Sequence, residues 1–345
     1  MRNNRHDRGP LESVMSQTRL TRRELLKRTV LLGAAATATG GLLTGCDVQQ
    51  RLEDRRAERE AAAEDDETRA FPDLEVTEIN GVELAVWDSG GDGDPVVFIH
   101  GAHGEEVFPV LTEPALTEQF RLVHYQRRGW GRSPQADEPT TMQERTADCK
   151  AVMDHFGIDR AHIQGKSAGG TIALQFALDF PDATQSLALL EPALPSILDE
   201  SPQFQEVMGE LIPHFEEGDH LAVAEGFAGE VIGEEYLDRF EANMPDGVLE
   251  RWAEEISTLF LYDSPGQAGW AFTDEMAQQI DQPVLNMTGA NSAPYWKDIH
   301  ERIATWIPQS ENVVLPDAPH VMLGTNPEGA AQQLAAFFAR HPIDG

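Results

Sequence analysis

The pentapeptide Gly165-Lys166-Ser167-Ala168-Gly169 constrains this chain more than any other feature, because it stands between a short apolar run at His162 to Gln164 and a helical pattern at Ala168 to Phe180. A serine flanked by small residues at a strand-to-helix junction meets the needs of a nucleophile elbow. The sharp turn lifts the hydroxyl above a sheet, and the glycines let the chain bend without clash. A Gly-rich turn with no chemistry is the alternative, and the surrounding pattern decides between them.

That pattern alternates strands with helices. Leu74 to Ile79 and Val82 to Trp87 alternate around Asn80-Gly81, which predicts a two-residue hairpin. Pro95 to Ile99 is a continuous apolar run of the kind found in buried parallel strands. Further runs fall at Phe120 to His124, His162 to Gln164, Ser186 to Leu190, Pro283 to Met287 and Val313 to Leu315. Helical periodicities cover Thr141 to Phe156, Ala168 to Phe180, Tyr295 to Trp306 and Pro327 to Arg340. The expectation is an α/β fold, a mostly parallel central sheet flanked by helices. Residues 195–279 are helical without a convincing strand, so they read as a helical cap inserted after the sixth strand.

Two further loops carry chemistry. His100-Gly101-Ala102-His103-Gly104 follows the buried strand ending at Ile99, and resembles the turn that supplies one amide of an oxyanion hole. The amides of Ala102 and Ala168 would then converge on one oxygen. Leu315-Pro-Asp-Ala-Pro-His320 follows the last strand, where a histidine can return to the nucleophile as general base. With Tyr125-Gln-Arg-Arg-Gly-Trp-Gly-Arg-Ser133, similar to the Arg-Gly-x-Gly-x-Ser loop after the fourth strand, residues 71–345 resemble the α/β-hydrolases.

The resemblance implies a Ser-His-acid triad in which Ser167 and His320 take the first two places. In many members the acid follows the strand matching Pro283 to Met287, but Gly289-Ala290-Asn291-Ser292 holds no carboxylate. Other members place it one strand earlier, where Glu191 follows Leu190; Asp317 and Asp263 are weaker substitutes, and an acid absent altogether is the plain alternative. A serine rather than an aspartate at the elbow favours acyl transfer over epoxide or haloalkane chemistry. The expected function is a carboxylesterase acting on small or medium ester-like substrates, with no cofactor. A cofactor-free haloperoxidase-like or carbon-carbon bond hydrolase, or a non-catalytic surface binding protein on the same scaffold, are the rivals. No metal-binding spacing occurs, and His100 and His103 read as loop-shaping residues. Phe204, Met208, Leu211, Phe215, Phe227, Trp252, Phe260 and Trp270 could line an apolar cleft, but at helical spacing such residues are more often the cap's own core.

Charge divides the chain. The whole carries 59 Asp and Glu against 26 Lys and Arg, a formal charge of −33, which argues against a nucleic-acid partner. Only Lys27, Lys150, Lys166 and Lys297 are lysines, a balance similar to that of proteins from extreme halophiles. Arg127, Arg128, Arg132 and Lys166 could form a positive island for an anionic substrate, although pairing with local carboxylates is the more ordinary expectation. Two cysteines, Cys46 and Cys149, exclude a disulfide framework.

Residues 1–45 are instead basic. Thr21-Arg-Arg-Glu-Leu-Leu-Lys27 precedes an uncharged run from Thr29 to Cys46, which looks like a twin-arginine export signal, and Leu43-Thr-Gly-Cys46 resembles a lipobox. The reading is cleavage before Cys46 and lipid attachment there, leaving the protein on the outer face of the cytoplasmic membrane; a single membrane-spanning anchor is the alternative. Residues 46–70 are densely charged and read as a tether.

Overall fold

A computed structural model describes residues 71–343. The twin-arginine motif, the lipobox with Cys46 and the charged tether lie outside the described residues.

Eight strands form one sheet: β1 (Glu75–Ile79), β2 (Val82–Asp88), β3 (Asp94–Ile99), β4 (Phe120–Tyr125), β5 (Ala161–Lys166), β6 (Thr184–Leu190), β7 (Val284–Gly289) and β8 (Glu311–Leu315). Their order is β1-β2-β4-β3-β5-β6-β7-β8. β1 and β2 form an antiparallel hairpin and β2 runs antiparallel to β4, while every later pairing is parallel. Asn80 and Gly81 turn the hairpin with φ of 55° and 73°, the left-handed pair that matches the twist of the strands.

The longer helices are α1 (Met142–His155), α2 (Ala168–Asp179), α3 (Pro202–Glu217), α4 (His220–Ile232), α5 (Leu237–Asn243), α6 (Val248–Glu255), α7 (Pro294–Trp306) and α8 (Pro327–Ala339). Alternation along each strand sends side chains to opposite faces. Val97, Ile99, Ile163, Leu187 and Leu189 pack with Val152, Ile172, Ile299 and Ile303 of α1, α2 and α7. Val96, Phe98, Ala188, Leu190 and Met287 pack with Leu334 and Phe337 of α8 and with Val107 to Leu116. Helices thus cover both faces, as parallel sheets require.

Between β6 and β7 the described chain is helical or irregular throughout, and α3 to α6 form the cap. Leu211, Phe215, Trp252 and Phe260 are buried with Val223, Val231 and Phe240 in a separate apolar cluster. The cap's aromatic positions are therefore largely its own core. Phe204 and Trp270 pack instead against the core beneath the sheet.

Several strands begin earlier than the sequence pattern places them, among them β6 at Thr184, β8 at Glu311 and β5 at Ala161. β5 runs from Ala161 to Lys166 rather than His162 to Gln164. Its alternate positions His162, Gln164 and Lys166 are polar and buried, which breaks the apolar run that the sequence pattern depends on.

Candidate active site

β5 ends at Lys166 and α2 begins at Ala168, so Ser167 alone makes the turn, with φ 53° and ψ −121°. A non-glycine residue held in that region stores about 1–3 kcal/mol of strain. Four backbone bonds hold it there: Ser167 N–H donates to Leu190 O at 3.0 Å, and Ser167 O accepts from Gly170 and Ala193, both at 2.9 Å, and from Thr171 at 3.3 Å. The flanking glycines are required sterically, since a Cβ on Gly169 would lie 2.1 Å from Ile99 O and one on Gly165 2.4 Å from Gly169 O. Ala168 N–H, the first amide of α2, has no acceptor within the helix and faces outward at its positive end.

His320 lies in the loop between β8 and α8. Its Nδ1 binds Glu191 Oε2 at 2.5 Å. The other Glu191 oxygen, Oε1, accepts from Thr288 Oγ1 at 2.5 Å and from Gly289 N–H at 2.9 Å. Glu191 and His320 are both buried, and the imidazole stacks flat on Trp296, with ring centroids 3.7 Å apart and planes at 7°. Ring and carboxylate are thus fixed on one edge, leaving Nε2 as the free nitrogen. No hydrogen bond joins Ser167 Oγ to His320 among the described residues; such bonds commonly tighten only when substrate arrives.

The strand register explains how a carboxylate after β6 reaches His320. Leu190 pairs with Met287 and Glu191 N–H donates to Met287 O at 3.2 Å, so Glu191 stands beside the end of β7. Strands are about 4.8 Å apart, and a glutamate is long enough to cross that step. Its left-handed backbone, φ 46°, turns it toward the β7 end. Asp263 binds Arg127, Arg145 and Trp130, while Asp317 is bound by Arg239 and Tyr236 at the surface, so neither substitute acid reaches His320.

Burial pushes the Glu191 carboxyl upward, but the His320 hydrogen bond and charge, with the Ser292 and Thr288 hydroxyls, outweigh it and leave the pKa below the usual carboxylate value. Burial drives His320 downward and the Lys166 charge adds to that, with Glu191 opposing both; its pKa falls below the ordinary histidine value. At neutral pH the pair is a carboxylate and a neutral imidazole, the state in which a base can accept a proton.

Residues 94–327 match the family described as alpha/beta hydrolase fold. The chain belongs to the α/β-hydrolase fold family. It is 26% identical over 284 residues to the bifunctional esterase/perhydrolase DCH of Acinetobacter calcoaceticus, covering 76% of this chain and 98% of that protein. It is 29% identical over 154 residues to the dihydrolipoyllysine-residue acetyltransferase component of the acetoin cleaving system of Cupriavidus necator, spanning 44% of this chain but only 41% of that longer relative. Among solved structures, a thermophilic esterase from Thermogutta terrifontis superposes with a TM-score of 0.64 at 22% identity, over 80% of this chain and all of that one.

In this α/β-hydrolase the loop His100 to Glu106 lies under the cap. His100 Nε2 accepts from Arg127 N–H at 2.9 Å, so its Nδ1 carries the proton that meets Gly101 O at 2.9 Å. Burial and the Arg127 charge hold His100 neutral. Helix α6 grips the same loop. Trp252 Nε1 donates to Ala102 O at 2.6 Å, its ring stacks on His103, Arg251 binds the Glu105 carboxylate, and Glu255 accepts from Gly104 N–H at 3.3 Å. His100 and His103 shape the loop, as expected from the sequence.

The four cations of the supposed positive island are all paired. Arg127 binds Asp263 at 2.8 Å, Arg128 binds both oxygens of Asp148 at 2.7 Å, Arg132 meets Asp73 at 3.2 Å, and Lys166 meets Glu106 at 2.9 Å. They fix the hydrolase's loops rather than present free charge. Among the described residues no group of three or more His, Cys, Asp or Glu is placed to hold a metal ion.

A cavity of about 480 Å³ opens between Asp73, Glu105, Arg132, Arg251 and Thr258. Neither Ser167 nor His320 lines it. The sequence pattern missed Glu106, Thr288 and Trp296. Only a lysine inside the elbow motif, which calls for a counter-charge, hinted at the first.

Proposed function

We propose that the chain is a serine carboxylesterase acting on small or medium esters. The observation that carries this reading is the hydrogen bond of 2.5 Å between the buried Glu191 and His320, in a chain whose Ser167 is held in an elbow. Ser167 Oγ attacks the ester carbonyl while His320 Nε2 takes its proton, and Glu191 holds the imidazole tautomer and balances the imidazolium. The oxyanion is met by the Ala102 and Ala168 amides, each such donor contributing about 10²–10³ in rate. His320 returns the proton to the leaving alcohol, giving an acyl-Ser167. Water, deprotonated by His320, then releases the acid and restores the serine. None of these steps calls on a cofactor.

The similarity to a protein named as a bifunctional esterase/perhydrolase, of which this chain covers 98%, supports the ester substrate. It also favours a second reading on the same acyl-enzyme: hydrogen peroxide in place of water would release a peracid.

The export reading rests on Thr21 to Lys27 and Leu43 to Cys46. The protein leaves the cytoplasm by the twin-arginine route, is lipidated at Cys46, and works at the outer face of the membrane. Cys46→Ala should move it from the membrane fraction to the medium; retention in the membrane would argue for a spanning anchor.

The test of the activity is an ester panel of increasing acyl length at several salt concentrations, with Ser167→Ala alongside. Hydrolysis of the shorter esters by the wild type and none by Ser167→Ala is expected. Undiminished turnover in Ser167→Ala would overturn the assignment.

A further inference from the structure

We propose that Glu106 is a positioning residue of the oxyanion hole: one buried carboxylate ties the loop that carries Ala102 to the elbow that carries Ala168. The inference rests on the acyl-transfer reading above and extends it to a pair of residues that reading does not use.

The two carboxylate oxygens serve different elements. Oε1 accepts the Gly101 N–H, and Oε2 accepts Lys166 Nζ at 2.9 Å. Gly101 immediately precedes Ala102, and Lys166 immediately precedes Ser167. A peptide unit is planar and trans, so the Ala102 N–H points opposite to the Gly101 carbonyl. That carbonyl is held by Arg127 Nη2 at 2.6 Å and by His100 Nδ1 at 2.9 Å, while Glu106 holds the amide on the other side of Gly101. The direction of the Ala102 donor is thereby set from both sides.

There is no slack between the two arms. A Cβ on Gly101 would lie 2.7 Å from Glu106 Oε1, 2.8 Å from Ser167 Cβ and 3.2 Å from Lys166 O. Displacing Glu106 therefore displaces the loop against the nucleophile. Lys166 continues the polar row His162 and Gln164 along β5, on the face that neighbouring strands fill with Phe98, Ala188 and Leu190. The side chains of Lys166 and Glu106 are only 3% and 5% exposed. Removing one partner leaves the other's charge buried without its counter-ion, at a cost in stability.

The pair also acts on the base. The charges facing His320 are Glu191 from the end of β6, Lys166 from the end of β5 and Glu106 from the loop after β3; Lys166 opposes protonation and Glu106 favours it. Removing each should move the acid limb of the kcat/KM profile in opposite directions, which a merely structural prop would not do.

The test uses the full chain with Glu106→Gln, Lys166→Met and the double variant, each checked for folding by circular dichroism in high salt. The readouts are the rate of Ser167 labelling by a fluorophosphonate and kcat and KM on a short-chain p-nitrophenyl ester across pH. Glu106→Gln should lower kcat and labelling about 10- to 100-fold, less than the about 10²–10³ of a donor removed outright because this one is only misplaced, with KM within about threefold. Its acid limb should move to lower pH and that of Lys166→Met to higher pH. Should Glu106→Gln fail to fold, the double variant leaves no buried charge and should show the same loss of kcat. Wild-type kcat and labelling in a folded Glu106→Gln or double variant, or limbs that move the same way, would overturn the inference alone. A folded wild type that resists the label would overturn the hydrolase reading and this inference with it.

Discussion

The Trp252 indole N–H reaches out of the cap to the carbonyl oxygen of Ala102, at 2.6 Å, in surroundings where both groups are buried. The cap is thus fastened to the backbone of the loop that carries the proposed oxyanion donor Ala102. With Arg251 on Glu105 and Glu255 on Gly104, α6 makes three polar attachments to that loop. On its other side the cap meets the base loop, where Tyr236 and Arg239 bind Asp317 and Asn243 binds Gly324 O.

Trp252→Phe keeps a ring to stack on His103 and removes the donor. A buried carbonyl left unpaired costs about 1–3 kcal/mol, so the melting temperature should fall by several degrees. kcat should fall with KM nearly unchanged, because the loop backbone and not the substrate pocket is loosened. Unaltered kcat in steady-state assays would separate the cap from the oxyanion loop.

Glu191→Gln preserves the shape of the acid but removes its charge and can present an N–H to His320, stabilising the wrong tautomer. A loss of kcat on the order of 10³–10⁴ is expected, as for orienting acids generally, with labelling of Ser167 slowed in parallel. Rates within about threefold of wild type would remove Glu191 from the triad.

Much of this was legible in the sequence because local chemistry and global pattern agree. Asn80-Gly81 demands one turn, Gly165 and Gly169 admit one close approach, and the strand-helix alternation fixes a parallel sheet, so those elements stand where the pattern placed them. The carboxylate partner of His320 was legible only as a choice among Glu191, Asp263 and Asp317, since what sets Glu191 against that ring is the pairing of Leu190 with Met287, a contact across nearly a hundred residues. Trp296 and Glu106 were hidden for a related reason. One looks like a core aromatic on α7 and the other like a solvated loop charge until the fold sets them against His320 and Lys166. The extent of β5 was masked because its buried positions are polar.

Buried histidines govern behaviour in acid. Burial lowers His124 and His162 to about 4, and it also lowers His100, His300 and His320. Each takes up a proton on unfolding between its lowered folded value and about 6.5, its value in an open chain. Their contribution to stability is therefore fully present above about pH 6.5 and lost as pH falls below it. Melting temperature should drop steadily from pH 6.5 toward 4, while the acid limb of kcat/KM should lie below 6.5. A melting temperature constant across that window would contradict the assignment of these rings as neutral.

Salt should stabilise the fold. A formal charge of −33, with 20 acidic residues in positions 195–279 against Arg239 and Arg251, makes self-repulsion large. Screening shortens from about 10 Å at 0.1 M to about 3 Å at 1 M. The weakly held surface pairs Arg132–Asp73 and Arg239–Asp317 lose little by comparison. Calorimetry in rising sodium chloride should show the melting temperature climbing by several degrees between 0.1 and 2 M; a fall would mean that attractive pairs dominate.

The central claim, that Ser167 is an activated nucleophile, is tested most directly by intact-mass measurement after exposure to a fluorophosphonate in high salt. One adduct on the wild type, located to the peptide containing Ser167 and absent from Ser167→Ala, is the predicted result. A folded wild-type protein that gains no mass, or gains it equally in Ser167→Ala, would contradict the account.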